Sequence, residues 1–350
     1  MDLHAQIIKI LILTTLSFVV TLLCTPLLEH LLYKYKLHKK IRLSATVPIF
    51  AKLHAHKQGT PTMGGLLIWV PTLCLALLFF YLSELFPGTA VESLNFLVRK
   101  ETFLPLGALV AAALIGLVDD LWEIFNVGNN NQGLTIWKRL FLYTCIAIFG
   151  AWWFYYKLEW THIHIPFYGD YDIGVWYIPI FILIIVATSF AVNETDGLDG
   201  LAGGVLLTSF AAYGTIAFIQ GRYNLTAFCG VVAGALLAFL WFNINPARFF
   251  MGDTGSMSLG VALGVTAVLT NAVFLLPIIG FVLVVESMSV IIQVTSKQLF
   301  KRKIFLSTPI HHTLEAIGWP EQKIVMRFWI VSAVSAVVGL IIFLLDRISY

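Results

Sequence analysis

Acidic and amide side chains recur in this sequence beside glycines, at the edges of apolar runs. Asp119-Asp120 closes one run, and Asn193-Glu-Thr-Asp196-Gly197-Leu198-Asp199-Gly200 closes another. A third segment reads Asn243-Ile-Asn-Pro-Ala-Arg-Phe-Phe250-Met-Gly252-Asp253-Thr-Gly-Ser. Five carboxylates without evident compensation suit a divalent cation. Oxygen ligands with room for water and substrate phosphate point to Mg²⁺, and no Cys/His set suggests zinc. Glycine lets backbone N–H groups approach a phosphate closely, as at Gly197, Gly200, Gly252 and Gly255. Neither a Walker A loop nor a dinucleotide fingerprint is present. Lys57, ahead of Gly59-Thr-Pro-Thr62, is open between a phosphate contact and a lysine facing lipid headgroups. The pair His311-His312 is open between a proton donor or phosphate contact and a bland surface pair. A solvated helix end remains the alternative for Asp119-Asp120. The combination points to metal-assisted phosphoryl transfer between a soluble nucleotide and a membrane lipid.

The elements that would position these groups follow from composition. Of the 350 residues, 59% are hydrophobic and only 12% charged. Mean hydropathy is +0.87. A soluble domain carries about 25% charged residues, so a water-soluble globule, a coiled coil, a disordered chain and a disulfide scaffold are excluded. A polytopic all-α membrane protein remains, forming a single domain over 1–350. Sustained strand-like alternation is missing, which disfavours a barrel. Cys24, Cys74, Cys145 and Cys229 lie in apolar runs and read as small hydrophobes.

Ten spans are expected. They are Ile10–Leu28, Gln58–Ser83 (beginning near Met63), Thr102–Val118, Leu140–Tyr156, Ile173–Asn193, Leu201–Gln220, one within Tyr223–Ala247, two within Thr254–Ser296, and Phe328–Leu345. The long run breaks near Thr270-Asn271. Its one ionisable residue, Glu286, is open between a hydrogen bond near the site and a protonated structural group. The first run is expected to be a retained helix rather than a signal peptide. The odd-numbered loops hold 16 of the 22 Lys and Arg, among them Lys39, Lys40, Arg42 and Lys52. By the positive-inside rule these loops face the cytoplasm and both termini face out. The acidic segments, Lys57 and the His pair all fall on the odd loops. A short external hairpin is expected near 160–172, with His162 and His164 on one strand face. A metal site there is the lesser reading.

Four segments carry a resemblance. They are Gly59-Thr-Pro-Thr-Met-Gly-Gly65, Ala191-Val-Asn-Glu-Thr-Asp-Gly-Leu-Asp-Gly-Leu-Ala202, Phe250-Met-Gly-Asp-Thr-Gly-Ser256 and Pro309-Ile-His-His312. They run in order over nearly the whole chain, from Arg42 to Gly318-Trp-Pro-Glu321. Together they closely resemble the phospho-N-acetylmuramoyl-pentapeptide transferase (MraY) family, within the polyprenyl-phosphate N-acetylhexosamine-1-phosphate transferases. The resemblance implies ten transmembrane helices, a bacterial inner-membrane location and a homodimer. It implies transfer of phospho-MurNAc-pentapeptide from UDP to undecaprenyl phosphate, giving lipid I and UMP, with Mg²⁺. By position, Asp253 would bind the metal, and Asp119 and Asp120 would serve the lipid phosphate. Lys57, Gly197, Leu198, Asp199, Asn243 and Phe250 would form the uridine pocket. Thr62, Asn193, Asp196 and Gly252 would line the sugar and phosphate region. Gln293, His311 and His312 would close the other side, with His311 in a catalytic role.

This sequence departs from the family pattern in four places. Glu123 stands where a Lys is usual, Thr313 replaces the third His, Phe190 replaces the first Asn of Asn-Ala-Val-Asn, and Asn129-Asn130-Asn131 is extra. The nearer alternative is a sister enzyme using UDP-GlcNAc or another UDP-sugar. The distant alternatives are a transporter, suggested by Glu286, and a non-catalytic scaffold. No nucleic-acid partner is expected.

Overall fold

The computed structural model describes residues 2–38, 57–99, 101–125 and 134–349. Lys39, Lys40, Arg42, Lys52 and the Asn129–Asn131 stretch lie outside the described residues.

Each expected apolar run is a helix. In chain order they are α1 (Leu3–Lys34), α2 (Leu66–Leu85), α3 (Phe103–Ile124), α4 (Ile136–Trp152) and α5 (Tyr177–Thr195). α6 (Leu201–Ile219), α7 (Tyr223–Asn243), α8 (Asp253–Leu269) and α9 (Phe281–Leu299) follow. A short α10 (Ile310–Ala316) precedes α11 (Glu321–Ser349). Among the described residues, eight helices are long and apolar enough to cross a membrane. α4 and α8 are shorter, at 17 residues each. The protein is an all-α polytopic membrane protein. The run after Thr254 does divide in two: α8 stops at Leu269, and Asn271 turns the chain with φ +51°. A short amide side chain tolerates that left-handed conformation.

α1 and α11 extend well beyond the uncharged runs, to 32 and 29 residues. A charged residue ends a hydropathy run without ending a helix when its charge finds a partner. Lys9, nearly two turns inside α1, is buried and donates to the Asn95 carbonyl and to Asn224 Oδ1 at 2.6 and 2.8 Å.

Every residue of α8 is buried, and small side chains at Gly255, Ser258, Gly260 and Gly264 let neighbours pack close. It packs against α3 and α5; α4 and α9 back onto α5, α7 links α6 to α1, and α11 lies on α6. Leu11, Leu23, Leu183, Trp241 and Ile330 point outward, where lipid is the solvent.

Strands β1 (His162–Ile165) and β2 (Gly169–Asp172) pair antiparallel, with His164 opposite Asp170. This is the expected hairpin. His164 Nδ1 lies 2.7 Å from Asp170 Oδ1, and Nε2 lies 2.6 Å from Asp346 Oδ2 on α11. Both ring nitrogens are thus engaged by carboxylates. Burial alone would lower the His164 pKa, but the Asp346 and Asp170 carboxylates outweigh it, and the net direction is upward.

The hairpin and the acidic segments lie at opposite ends of the bundle. α8 starts at Asp253 and ends beside Asn271, which bonds the His164 N–H at 3.1 Å. Seventeen residues of helix separate those ends by about 25 Å. Lys9 and Asp346 fall at the hairpin end, so the first and last helices begin and finish there.

Candidate functional site

The site is built on the first turn of α8. Gly116 of α3 lies against it; an added Cβ there would collide with the Asp253 carbonyl. That approach brings the end of α3 onto the α8 N-terminus. Asp120 then accepts the N–H groups of Asp253 and Thr254, each at 3.0 Å. These are orphan donors of a helix start, and a carboxylate there also meets the positive end of the helix dipole. Asp120 therefore fixes the turn that carries Asp253.

Asp119 turns to the other side. It accepts the Leu134 N–H at 2.6 Å and meets Arg139 Nε through Oδ2 at 2.7 Å. The same guanidinium meets Asp253 Oδ2 at 2.9 Å through Nη2. Asn193 of α5 donates to Asp253 Oδ1 at 2.7 Å and to Ser256 Oγ at 3.0 Å. Four helices thus contribute to one cluster. Arg139 was legible in the sequence only as a loop charge beside Lys138. Its sole clue is its place in the first turn of an apolar helix, on the side that holds the acids.

A second cluster surrounds Lys57. Its Nζ lies 2.7 Å from Asp199 Oδ1 and 2.6 Å from Glu321 Oε1. Asn245 donates to Asp199 Oδ2 at 2.9 Å and to Glu321 Oε2 at 3.0 Å, and the Ala247 N–H reaches Asp199 at 3.1 Å. Lys57 Nζ also stands 5.9 Å from the centre of the half-buried Phe250 ring. Phe250 is strapped to the 60–65 loop: its N–H donates to the Pro61 carbonyl, and its carbonyl accepts the Gly64 N–H, both at 2.8 Å. Asn243 spends its amide on backbone, accepting from Gly200 N–H at 2.9 Å and donating to the Phe249 carbonyl at 2.8 Å. Glu321 escaped sequence reasoning because it looks like an ordinary acid in a helix's first turn.

The expectation of five uncompensated acids is corrected here. Asp119 and Asp253 share Arg139, Asp120 caps α8, and Asp199 pairs with Lys57. Buried carboxylates without counter-charge would be too costly to keep ionised. Asp196 is half-buried at the end of α5. Among the described residues, no three His, Cys, Asp or Glu side chains converge on one metal position. Mg²⁺ commonly takes only one or two protein carboxylates and keeps waters and phosphate oxygens. Asp253, with Asp119 across the guanidinium, fits that mode by donor chemistry.

The remaining candidates flank these clusters. Thr62 is buried beside Gly252, where a Cβ would meet Thr62 Oγ1 and Asp120 Oδ2 at 2.7 Å each. Gly252 has φ +75°, a conformation glycine adopts without strain. Leu198 is buried inside the Gly197–Gly200 turn. His311 Nδ1 lies 2.9 Å from Glu286 Oε2, and the ring edge rests on Gly197. His312 Nδ1 lies 2.7 Å from Glu315. Gln293 is committed to the α9–α10 loop, accepting from Ile304 and Phe305 N–H and donating to the Phe305 carbonyl, all at 3.0 Å.

Comparison with known proteins gives the family. Residues 57–68, from Lys57 through Ile68, match signature 1 of phospho-N-acetylmuramoyl-pentapeptide-transferase. Residues 102–271 match the glycosyl transferase family 4 model. The chain is 38% identical over 345 residues to the phospho-N-acetylmuramoyl-pentapeptide-transferase of Chloroflexus aggregans, covering 95% of this chain and 89% of the relative. It is 38% identical over 330 residues to that of Geobacillus sp. strain WCH70, covering 93% and 95%. The chain belongs to the phospho-N-acetylmuramoyl-pentapeptide-transferase family.

The glycosyl transferase family 4 match spans α3 through α8, and so contains the whole Arg139 cluster. His311 and Glu321 lie beyond it, on the C-terminal segment that closes the site. The departures from the transferase-family pattern also find places. Glu123 is buried on α3, one turn beyond Asp119, and adds negative charge near Arg139. Thr313 Oγ1 donates to the Ser307 carbonyl and so ties α10 to the preceding loop. Phe190 sits half-buried on α5.

Proposed function

We propose that this protein transfers phospho-MurNAc-pentapeptide from UDP-MurNAc-pentapeptide to undecaprenyl phosphate, releasing UMP and leaving lipid I in the bacterial inner membrane. The observation that carries this reading is family membership over 95% of the chain, with the shared motifs gathered at one end of an apolar bundle. That end is read as cytoplasmic from the Lys and Arg of the odd loops. A homodimer is proposed from the resemblance.

The two clusters divide the work. Phe250 offers a ring face for uracil, and Lys57 beside it offers a cation to the nucleotide. The Gly197-Leu198-Asp199 turn and Asn243 shape the rest of the uridine pocket. Thr62, Asn193, Asp196 and Gly252 stand toward the sugar and phosphates, with Gln293 and His312 on the far wall. Of the aspartate pair, Asp120 is bound into the α8 cap, and Asp119, held by Arg139 and the Leu134 N–H, is the one that would serve the lipid phosphate. Asp253, with Asp119 alongside, would hold Mg²⁺, which when bound neutralises charge developing on the departing UMP. An oxygen of the lipid phosphate attacks the β-phosphorus of the UDP-sugar, and the bond to the UMP oxygen breaks. Arg139 pairs with both carboxylates and balances their charge while this occurs.

The test is UMP release by purified protein with undecaprenyl phosphate, Mg²⁺ and one UDP-sugar at a time. Release with UDP-MurNAc-pentapeptide is expected. Release only with UDP-GlcNAc would assign the sister activity instead.

A further inference from the structure

Glu286 is the one acid in the middle of α9, and it is fully buried. His311, fully buried on α10, lies over it: Nδ1 is 2.9 Å from Glu286 Oε2, and the His311 N–H is 3.5 Å from the same oxygen. The other ring nitrogen, Nε2, is buried and has no hydrogen-bond partner among the described residues. An unsatisfied buried polar atom costs about 1–3 kcal/mol, so a group that reaches Nε2 and hydrogen-bonds it gains that much. Nε2 points at Gly197, where a Cβ would collide with it. The ring edge therefore meets the Gly197-Leu198-Asp199 turn, away from the lipid-facing surface.

The chemistry of the pair sets which proton the ring carries. An ionised carboxylate only accepts, and with Glu286 in that form the shared proton sits on His311 Nδ1. A neutral imidazole then has a lone pair at Nε2. The other charged groups near the ring are Glu194 from α5 and the His312–Glu315 pair on α10; the His311 and His312 ring centres are 4.1 Å apart.

We propose that Glu286 is a positioning residue: it fixes His311 with the proton on Nδ1, so that Nε2 accepts a hydrogen bond from a hydroxyl or amide N–H of the sugar nucleotide held at the Gly197 turn. This rests on the transferase reading above. A protonated Glu286 would instead donate to Nδ1, leave the proton on Nε2 and suit a phosphate oxygen.

Histidine ¹⁵N NMR on the full-length protein in detergent separates the two, with His311 assigned by its loss in His311→Gln. The proposal expects the Nδ1–H form in the wild type and a shift toward Nε2–H in Glu286→Ala. It also expects kcat/KM to fall about tenfold or more in Glu286→Ala. Glu286→Gln, whose carbonyl can still accept the Nδ1 proton, should restore most of it. An Nε2–H wild type overturns the proposal, as does a tautomer unchanged in both variants. If Glu286→Ala does not fold, the wild-type tautomer and the Glu286→Gln kinetics still decide. The NMR arm needs no turnover, so a failed UMP assay would count against the transferase reading and leave this pairing separately tested.

Discussion

Two clusters at the same end of the bundle each join one cation to two carboxylates, yet they are built differently. Arg139 bridges Asp119 and Asp253 with a planar fork, and all three sit on helices, with α3 packed closely on the start of α8. Lys57 joins Asp199 and Glu321 as a point charge, with Lys57 and Asp199 on connecting segments. A guanidinium fixes the angle between its partners, whereas an ammonium on a flexible stem does not. The first arrangement suits reacting charges that must stay put. The second suits a pocket that admits and releases a nucleotide.

The largest contrast should come from packing. Gly116→Val would push the end of α3 off the Asp253 turn, and UMP release should drop about a hundredfold or more, since small misplacements near the reacting groups are that costly. Gly59→Ala, in the Lys57 loop, meets no atom within 4 Å and only strains φ +94°. It should cost little activity; equal losses in the two variants would erase the distinction. Next, Arg139→Lys should fold but lose roughly tenfold to a hundredfold in kcat, because one ammonium cannot reproduce the fork. Arg139→Gln leaves two buried carboxylates unpaired and should lose about 3–5 kcal/mol of stability, read by thermal unfolding in detergent. Lys57→Met should instead raise KM for the UDP-sugar about tenfold with little change in kcat. A fall in kcat alone would move Lys57 into the reacting centre.

The hairpin end supplies the smallest effect. The His164 pKa is raised in the folded protein above its ordinary 6.5. Its stabilising contribution is therefore complete below pH 6.5 and is lost as pH rises through the folded value. The unfolding temperature should decline over that window, and His164→Gln should flatten the decline without changing UMP release. A pH-independent difference between the two proteins would remove the His164–Asp346 link from the account.

Much of the helical layout could be read from the sequence, because lipid demands long apolar runs and turn residues interrupt them. Hydropathy could not see that Lys9 lies inside α1, since its partners Asn95 and Asn224 are far along the chain. Asp119, Asn193, Asp199 and Asp253 stood out as polar groups at the ends of such runs. Their counter-charges did not. Arg139 and Lys57 resemble any basic residue near a membrane boundary, and Glu321 resembles a helix-start acid. Asp120's role as a cap was hidden because its partners lie 133 and 134 residues away. Pairing at such distances depends on how helices pack, and motif spacing does not record it.

Asp253 stands where the helix start, the guanidinium and the amide of Asn193 meet, so its removal tests the central claim most directly. UMP release from UDP-MurNAc-pentapeptide should be measured for the wild type and Asp253→Asn, reconstituted with undecaprenyl phosphate and Mg²⁺. The account predicts turnover by the wild type and a loss of about 10²–10³-fold or more in the variant, as expected when a group that balances transition-state charge is removed. A variant within a few-fold of wild type, equally folded, would contradict it.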